Sequence, residues 1–329
     1  METFKSFAQS LEKINEGNFE DIALGLFHFQ ARKNPVYKSY LEYLKCDLKY
    51  VSRLDQIPFL PIGFFKNQEI KSGDWEPEAV FSSSGTTGSI FSKHLVYDLD
   101  FYRTHSKSIF RLFFDDPDSY HLLALMPSYL ERDGSSLIEM INYLISESRS
   151  EHAGFYLRNY DELVDKLNLL KADSRKIILW GVSFALLELA ETFELDLSNC
   201  IIMETGGMKG RRREWIREEL HEYLTRRFNV KTIYSEYGMT ELMSQAYSTG
   251  HGYYQCPPSM KILIRNINDP FEILDKGKTG GVNIADLANF HSCAFIETQD
   301  LGAVNQKGYF EIMGRMDNSD IRGCNLLVG

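Results

Sequence analysis

The chain has 329 residues, of which 43% are hydrophobic and 25% charged, so it is long enough for a large core and too apolar for a disordered protein. Its formal net charge of -10 argues against nucleic acid or an anionic membrane as the main partner, because those partners select basic surfaces. The five cysteines are odd in number and widely spaced, which predicts neither a disulfide framework nor a zinc site and favours a cytoplasmic protein. The chain contains no uncharged apolar stretch of about 18 residues, so no membrane span is predicted.

The N-terminal part of the chain predicts amphipathic helices. Apolar residues recur at helical spacing from Thr3 to about Leu44, with a break at Asn34-Pro35. The segment from Ile57 to Lys66 is also apolar, but it carries two prolines within four residues, which disfavours a helix. We therefore expect a buried extended segment there, which either packs as a wall or lines a pocket.

A loop rich in hydroxyl groups and glycine follows the apolar residues 79–81. Residues 82–88 read Ser-Ser-Ser-Gly-Thr-Thr-Gly. Successive backbone amides and hydroxyls can donate to phosphate oxygens, and Gly85 and Gly88 can take the positive φ values that such a wrapped loop needs. By composition alone a simple surface turn is an equal alternative.

Strands and helices alternate after this loop. The pattern predicts strands near 121–127, 176–181 and 200–205, and helices over 97–114, 135–146, 159–170, 183–193 and 211–228. Such alternation predicts an α/β fold with a mainly parallel, helix-covered sheet, in which ligands bind at the carboxyl ends of strands. Four glycines follow apolar runs and mark strand ends that could face one crevice: Gly85, Gly181, Gly206 and Gly238. On the first of these helices, His105 is either a catalytic base or a satisfied, half-buried residue.

A second segment dense in functional groups covers residues 231–241. A predicted strand ends in Tyr237, which can stack on a flat ring, and Gly238 permits close approach of a ligand. Thr240 adds a hydroxyl, and the Glu241 carboxylate suits a hard cation such as Mg²⁺. Short strand patterns beyond it predict a smaller mixed β subdomain. We therefore divide the chain into a helical N-terminus with an α/β core (1–250) and a β subdomain with a C-terminal tail (251–329).

Five short motifs, taken together and in this order, resemble the motif series of the adenylate-forming superfamily, which includes acyl-CoA synthetases, luciferases and peptide-synthetase adenylation domains. They are Ser83-Ser84-Gly85-Thr86-Thr87-Gly88, Gly206-Gly207, Tyr237-Gly238-Met239-Thr240-Glu241, Thr298-Gln299-Asp300 and Gly314-Arg315. Four further segments look like those of the acyl-protein synthetases of bacterial bioluminescence, which ligate fatty acids to protein: residues 27–30, 34–37, 57–66 and Arg322-Gly323-Cys324. This resemblance covers nearly the whole chain.

The resemblance implies the large N-terminal domain of an adenylate-forming enzyme, with ATP and Mg²⁺ as cofactors. The implied nucleotide-binding residues come from the five motifs. The β,γ-phosphates would be bound by Ser83, Ser84, Gly85, Thr86, Thr87 and Gly88. Adenine would be flanked by Gly206, Gly207 and Tyr237, with Gly238 and Met239, and the ribose would be contacted by Asp300 and Arg315. Thr240 would contact the α-phosphate, and Glu241 would hold Mg²⁺. These residue types suit attack of a carboxylate on phosphorus, because that step needs charge neutralisation by metal and hydrogen-bond donors.

The sequence also departs from the superfamily pattern. Residues 90–92 separate the phosphate loop from Lys93, so the usual role of a lysine directly after this loop is not assigned to it. Gln299 stands where glycine is usual. The chain ends where relatives continue into a mobile domain that carries a lysine, which predicts that this domain is absent. In the acyl-protein synthetases a cysteine near the C-terminus is acylated, and Cys324 matches it; the alternative is an unpaired thiol near a chain end.

These observations predict an ATP-dependent ligase that activates a carboxylic acid, specifically a fatty acid, as an acyl-adenylate. The acyl group would pass to Cys324 and then to a partner acyl reductase. Two alternatives stay open: an AMP-forming acyl-CoA ligase, and a non-catalytic subunit that binds an acyl group or a nucleotide. The sequence determines neither the length of the acid nor the oligomeric state.

Overall fold

A computed structural model describes residues 2–83, 91–127, 134–206 and 215–316. The chain forms two compact units: unit 1 combines residues 1–73 with 258–329, and unit 2 is the continuous segment 74–257. The N-terminal helices therefore belong with the C-terminal strands, whereas the sequence-based division at residue 250 grouped them with the α/β core. The reason lies partly in Gln30, whose side chain hydrogen-bonds to the backbone of residues 289–294.

Helices and strands alternate through most of unit 2, whereas unit 1 combines the N-terminal helices with the C-terminal strands. In chain order the helices are α1 (Glu2–Glu12), α2 (Phe19–Lys33), α3 (Pro35–Tyr43), α4 (Phe64–Asn67), α5 (Leu99–Phe113), α6 (Ser136–Ser148), α7 (Tyr160–Leu170), α8 (Ser183–Thr192) and α9 (Arg217–Phe228). The strands are β1 (Leu60–Pro61), β2 (Ala79–Ser82), β3 (Lys93–Val96), β4 (Tyr120–Leu125), β5 (Gly154–Tyr156), β6 (Lys176–Val182), β7 (Cys200–Thr205), β8 (Tyr234–Tyr237), β9 (Ala246–Ser248), β10 (Met260–Arg265), β11 (Thr279–Asp286), β12 (Phe295–Val304) and β13 (Phe310–Arg315).

The N-terminal helices follow the predicted periodicity. Asn34 ends α2 and caps α3: its Oδ1 accepts from the amide of Tyr37 at 3.0 Å, and Pro35 occupies the first helical position, where no amide is needed. The extended segment predicted from Ile57 to Lys66 was wrong at its end, because α4 begins at Phe64. Both prolines precede this point, so nothing in the sequence prevents a helical turn there. Among the helices described, none has the length and apolar character needed to cross a bilayer.

Unit 1 contains the mixed β sheet that the sequence predicts. Strands β10, β11 and β12 are antiparallel neighbours, and β12 also pairs with β1 in parallel and with β13 in antiparallel orientation. The sequence pattern also predicts a strand at 271–274; this was wrong, because that segment makes only a single bridge, from Ile273 to Arg265. The pairing of β12 with β13 places the predicted Thr298-Gln299-Asp300 motif beside the end of β13.

Unit 2 is built on a sheet with the strand order β5-β4-β6-β7-β8-β9. All neighbouring strands are parallel except β9, which is antiparallel to β8. β4 is buried along its whole length and β6 along all but its first residue, because α6 packs on β4 and α8 packs on β6 and β7. This confirms the predicted parallel, helix-covered sheet. The last predicted helix begins at Arg217 rather than Arg211, and residues 207–214 lie outside the described ranges.

Candidate functional site

The carboxyl ends of β6, β7 and β8 meet at one edge of the sheet in unit 2. The parallel register places Val182, Thr205 and Glu236 side by side at these ends. Gly206 and Gly238 follow β7 and β8 directly, as the sequence predicts. Gly181 instead lies inside β6, where a Cβ atom would stand 2.7 Å from the side chain of Leu186. The glycine at 181 therefore serves packing, and Gly85 lies outside the described residues.

A buried carboxyl group links two of these strand ends. The hydroxyl of Thr205 donates to Oε2 of Glu236, and the other carboxyl oxygen of Glu236 lies where any side chain at Gly238 would have to start. Burial raises the pKa of Glu236 to about 7. The negative charge of Glu204 raises this pKa further, whereas the hydrogen bond from Thr205 lowers it. Glu236 thus fixes Thr205-Gly206 relative to Tyr237-Gly238.

Glu204 is a second buried carboxylate at this edge, with the opposite electrostatics. Its Oε1 accepts from the hydroxyl of Ser183, and its Oε2 lies 3.7 Å from Nε2 of His221. Burial by itself would raise the pKa of Glu204, but the interaction with His221 and the positive charge of Arg217 outweigh it and lower the pKa. Neither carboxylate is predicted from the sequence to have a role. For Glu204 the available signal was a charged residue near the end of an otherwise apolar strand.

The segment after β8 carries the predicted nucleotide-binding residues. Tyr237 is half-buried, its hydroxyl donates to Sδ of Met239 at 3.4 Å, and its ring lies 5.8 Å from that of Tyr254. The carbonyl oxygen of Thr240 lies 2.8 Å from Nδ1 of His94, a buried residue of β3. The sequence did not single out His94, which ties this segment to the strand that follows the phosphate loop.

Glu241 supplies the carboxylate of the candidate magnesium site. It is buried, with 5% of its surface exposed. Within the ranges described, no group of three or more His, Cys, Asp or Glu residues could hold a metal ion. Mg²⁺ is nevertheless commonly bound by one or two carboxylates together with substrate phosphates, so a single carboxylate next to Thr240, the predicted contact of the α-phosphate, fits this ion.

His105 lies in a packed environment. Its Nε2 is 3.0 Å from the hydroxyl of Ser244, and its ring stacks on Phe101. Burial lowers the pKa of His105 to about 4, which makes it a weak base at neutral pH. The geometry therefore favours the satisfied, half-buried residue over the catalytic base.

The ends of the phosphate loop are held together by Ser83. Its hydroxyl accepts from the amide of Ser92 at 2.9 Å, and its amide donates to the carbonyl of the same residue at 3.1 Å. The loop is thus the connection of the antiparallel β2–β3 pair. The other predicted residues of this loop, and two more, lie outside the described residues: Ser84, Gly85, Thr86, Thr87, Gly88, Gly207 and Cys324.

Asp300 and Arg315 come together in unit 1. They are register partners on β12 and β13, and Nε of Arg315 lies 3.4 Å from Oδ1 of Asp300. The carboxylate is largely buried, whereas 72% of the Arg315 side chain is exposed. The amide of Met316 donates to the carbonyl of Gln299 at 2.7 Å and extends this pairing by one residue. The structure therefore brings together the two residues that the resemblance places at a ribose.

Comparison with known proteins identifies one family. The family model described as acyl-protein synthetase, LuxE, matches residues 5–329. A search among curated protein sequences gave no match.

Several solved structures share the fold of this chain. ATP-bound MatB from Rhodopseudomonas palustris superposes with a TM-score of 0.55 at 15% identity, covering 72% of this chain and 48% of that one. A 2-hydroxyisobutyryl-CoA ligase in complex with 2-HIB-AMP gives 0.67 at 12% identity, covering 90% and 67%. The luciferase-like enzyme from the mealworm Zophobas morio gives 0.52 at 18% identity, covering 79% and 62%. The chain spans about half the length of the MatB structures it matches. The shared fold is that of the N-terminal domain of adenylate-forming enzymes.

Proposed function

The chain belongs to the acyl-protein synthetase family, and from this premise we propose that it is an ATP-dependent ligase that activates a carboxylic acid as an acyl-adenylate. The observation that carries the proposal is the placement of the Tyr237–Glu241 motif at the carboxyl end of β8, which is parallel to β7, at the sheet edge where α/β proteins bind ligands. The family implies a fatty acid as the substrate.

The five motifs divide the nucleotide-binding roles among them. In unit 2, Gly206, Gly207 and Tyr237 flank adenine with Gly238 and Met239, while residues 83–88 bind the β,γ-phosphates. In unit 1, Asp300 accepts from the ribose hydroxyls and Arg315 stands beside it. The Glu236–Thr205 hydrogen bond supports the first assignment, because it fixes the two adenine-flanking segments relative to each other.

The adenylation step joins the acid to the α-phosphorus. A carboxylate oxygen of the substrate attacks phosphorus, the bond to the β-phosphate oxygen breaks, and pyrophosphate leaves with that electron pair. Thr240 donates to an oxygen of the α-phosphate, whose negative charge rises in the transition state. Glu241 would hold Mg²⁺, which when bound neutralises charge on the phosphate oxygens.

The second step transfers the acyl group to the thiol of Cys324. The thiolate attacks the acyl carbon, the bond to the AMP oxygen breaks, and a thioester forms. Three of the four cysteines inside the described ranges are disfavoured as acceptors, because burial raises the pKa of Cys46, brings that of Cys200 to about 11 and brings that of Cys293 to about 12. Such thiols are poor nucleophiles at neutral pH. The final acceptor in this proposal is a partner acyl reductase.

Carboxylate-dependent exchange of labelled pyrophosphate into ATP tests adenylation. We expect exchange with fatty acids of some chain length and its loss in Glu241→Gln. Glu42→Gln, which changes an exposed carboxylate in unit 1, should exchange as wild type does. Absence of exchange with a full panel of acids, despite binding of ATP, would instead indicate a non-catalytic binding subunit.

Acyl labelling of the protein tests the transfer step. Cys324→Ala should keep pyrophosphate exchange and lose covalent label from a radioactive acid, whereas Cys46→Ala should keep both. Label that persists in Cys324→Ala contradicts the role of this thiol. Product release that requires coenzyme A would identify an acyl-CoA ligase instead.

A further inference from the structure

A charged side chain is buried next to the candidate ribose-binding strand. Arg265 is the last residue of β10, and only 3% of its surface is exposed. Its Nη1 donates to the carbonyl of Val282 at 3.0 Å and to Oδ1 of Asn283 at 2.9 Å, and its Nη2 donates to the carbonyl of Thr298 at 2.7 Å. The guanidinium therefore reaches across β11 to the backbone of β12.

The sheet is shaped to accept this guanidinium. At Gly281 a Cβ atom would lie 2.5 Å from Cζ of Arg265, so any other residue there would displace the guanidinium from this position. The register of β11 against β12 shifts between Gly281 and Asn283, next to the same group. A charge is costly to bury unless it is paired and hydrogen-bonded, and Oε1 of Glu297 lies 3.6 Å from Nη2 of Arg265.

A chain of hydrogen bonds leads from Arg265 to Asp300. The carbonyl of Val282 that accepts from Arg265 also accepts from the hydroxyl of Thr298 at 2.8 Å. The same hydroxyl accepts from the backbone amide of Asp300 at 3.0 Å. Arg265 and Thr298 thus hold the backbone from which the Asp300 carboxylate projects.

The electrostatics act in the same direction. Burial lowers the pKa of Arg265, while the negative charges of Glu297 and Asp300 oppose that change, so Arg265 and Asp300 attract each other. Arg315 is the other arginine near Asp300, but it is mostly exposed, and exposed ion pairs contribute little. The buried arginine is therefore the better candidate to fix the carboxylate.

We propose that Arg265 is a positioning residue for Asp300 and, through it, sets the preference for nucleotides with intact ribose hydroxyls. The proposal rests on the proposed function, which makes Asp300 the acceptor for those hydroxyls. An ionised carboxylate can only accept hydrogen bonds, so its direction decides which hydroxyls it can receive. Loss of the Arg265–Thr298 support would leave the ATP site in place and weaken its discrimination at the ribose.

Calorimetric dissociation constants for MgATP, Mg-2′-deoxyATP and Mg-3′-deoxyATP test this proposal. Wild type should lose about ten-fold in affinity for at least one deoxy analogue, since a hydrogen bond to a charged group is lost. Arg265→Met and Thr298→Val should reduce the ratio between the dissociation constants of that analogue and of ATP to about two-fold, as should Asp300→Asn. Thr298→Ser keeps the hydroxyl and should keep the ratio. Thr279→Ala, on the exposed end of β11, is the control that should match wild type.

The outcomes separate this inference from the proposed function. Thr298→Val leaves the guanidinium in place, so it tests the hydrogen-bond chain even where Arg265→Met fails to fold. Thr298→Val could instead weaken the binding of ATP and of both analogues equally, so that the ratios of their dissociation constants stay as in wild type. That result would overturn the positioning role of Arg265. A wild-type protein that binds all three nucleotides equally, unchanged by Asp300→Asn, would refute the ribose role of Asp300 itself and the inference with it.

Discussion

Replacement of Glu236 by glutamine should change how stability depends on pH. Burial raises the pKa of Glu236 from 4.5 to about 7, so the folded protein holds this proton more tightly than the unfolded chain does. The resulting stabilisation is fully present below about pH 4.5 and is lost as the pH rises through about 7. Glutamine resembles the protonated carboxyl and does not titrate, so Glu236→Gln lacks this dependence.

The expected size follows from the shift. Each pKa unit corresponds to about 1.4 kcal/mol, so the contribution of Glu236 to the free energy of unfolding should fall by about 3 kcal/mol between pH 4.5 and 7.5. Glu204 has a lowered pKa and contributes in the opposite sense, since its stabilisation is lost as the pH falls. That contribution is present in both proteins and cancels to first order in the difference between wild type and Glu236→Gln.

Tryptophan fluorescence during urea unfolding is the suitable assay. The three tryptophans of the chain, Trp75, Trp180 and Trp215, all belong to unit 2, which also contains Glu236. The free energies of wild type and variant should be compared at pH 4.5, 6 and 7.5. Glu219→Gln, an exposed change on α9, serves as the control. A difference for Glu236→Gln that stays constant over this range would refute the reasoning from burial.

Three further predictions follow from single contacts. Gly238→Ala should destabilise unit 2 by about 1–3 kcal/mol, because its Cβ overlaps a buried carboxyl oxygen, whereas Gly154→Ala has free space; urea unfolding compares them. His94→Phe should lower kcat/KM for pyrophosphate exchange by about ten-fold, since it removes the donor to the half-buried carbonyl of Thr240, and His94→Asn should retain more activity. Cys293 should resist iodoacetamide in the native protein at pH 8 and react in urea, as mass spectrometry of peptides would show; native labelling would contradict its raised pKa.

The sequence predicted best those elements whose pattern is long and local. The apolar runs of β4 and β6 and the amphipathic pattern of α5 were located within a few residues, and Asp98 caps α5 as a carboxylate at that position should. The short strands β5 and β9 were missed, because three residues give no recognisable period. Their strand character comes from pairing with β4 and β8.

The candidate site was predictable only where a motif is contiguous. Tyr237–Glu241 and Thr298–Asp300 were found as segments, while the groups that support them come from elsewhere in the chain. His94, Glu204 and Arg265 contact these segments or their neighbours through strand register and buried hydrogen bonds. The sequence marks Glu204 as a charged residue on an apolar strand, but it does not specify the partners of these three residues, because each contact depends on which strands become neighbours.

The amide of Gln30 has a consequence for the order in which the chain can be completed during synthesis. It donates to the carbonyl of Asn289, which lies 259 residues later, and its oxygen accepts from Ala294. On the ribosome these partners do not exist until all of unit 2 has been made, because unit 2 is one continuous insertion between the two parts of unit 1. The N-terminal helices can therefore make these contacts only after unit 2 has been synthesised. The contacts within the inserted α/β unit become available earlier.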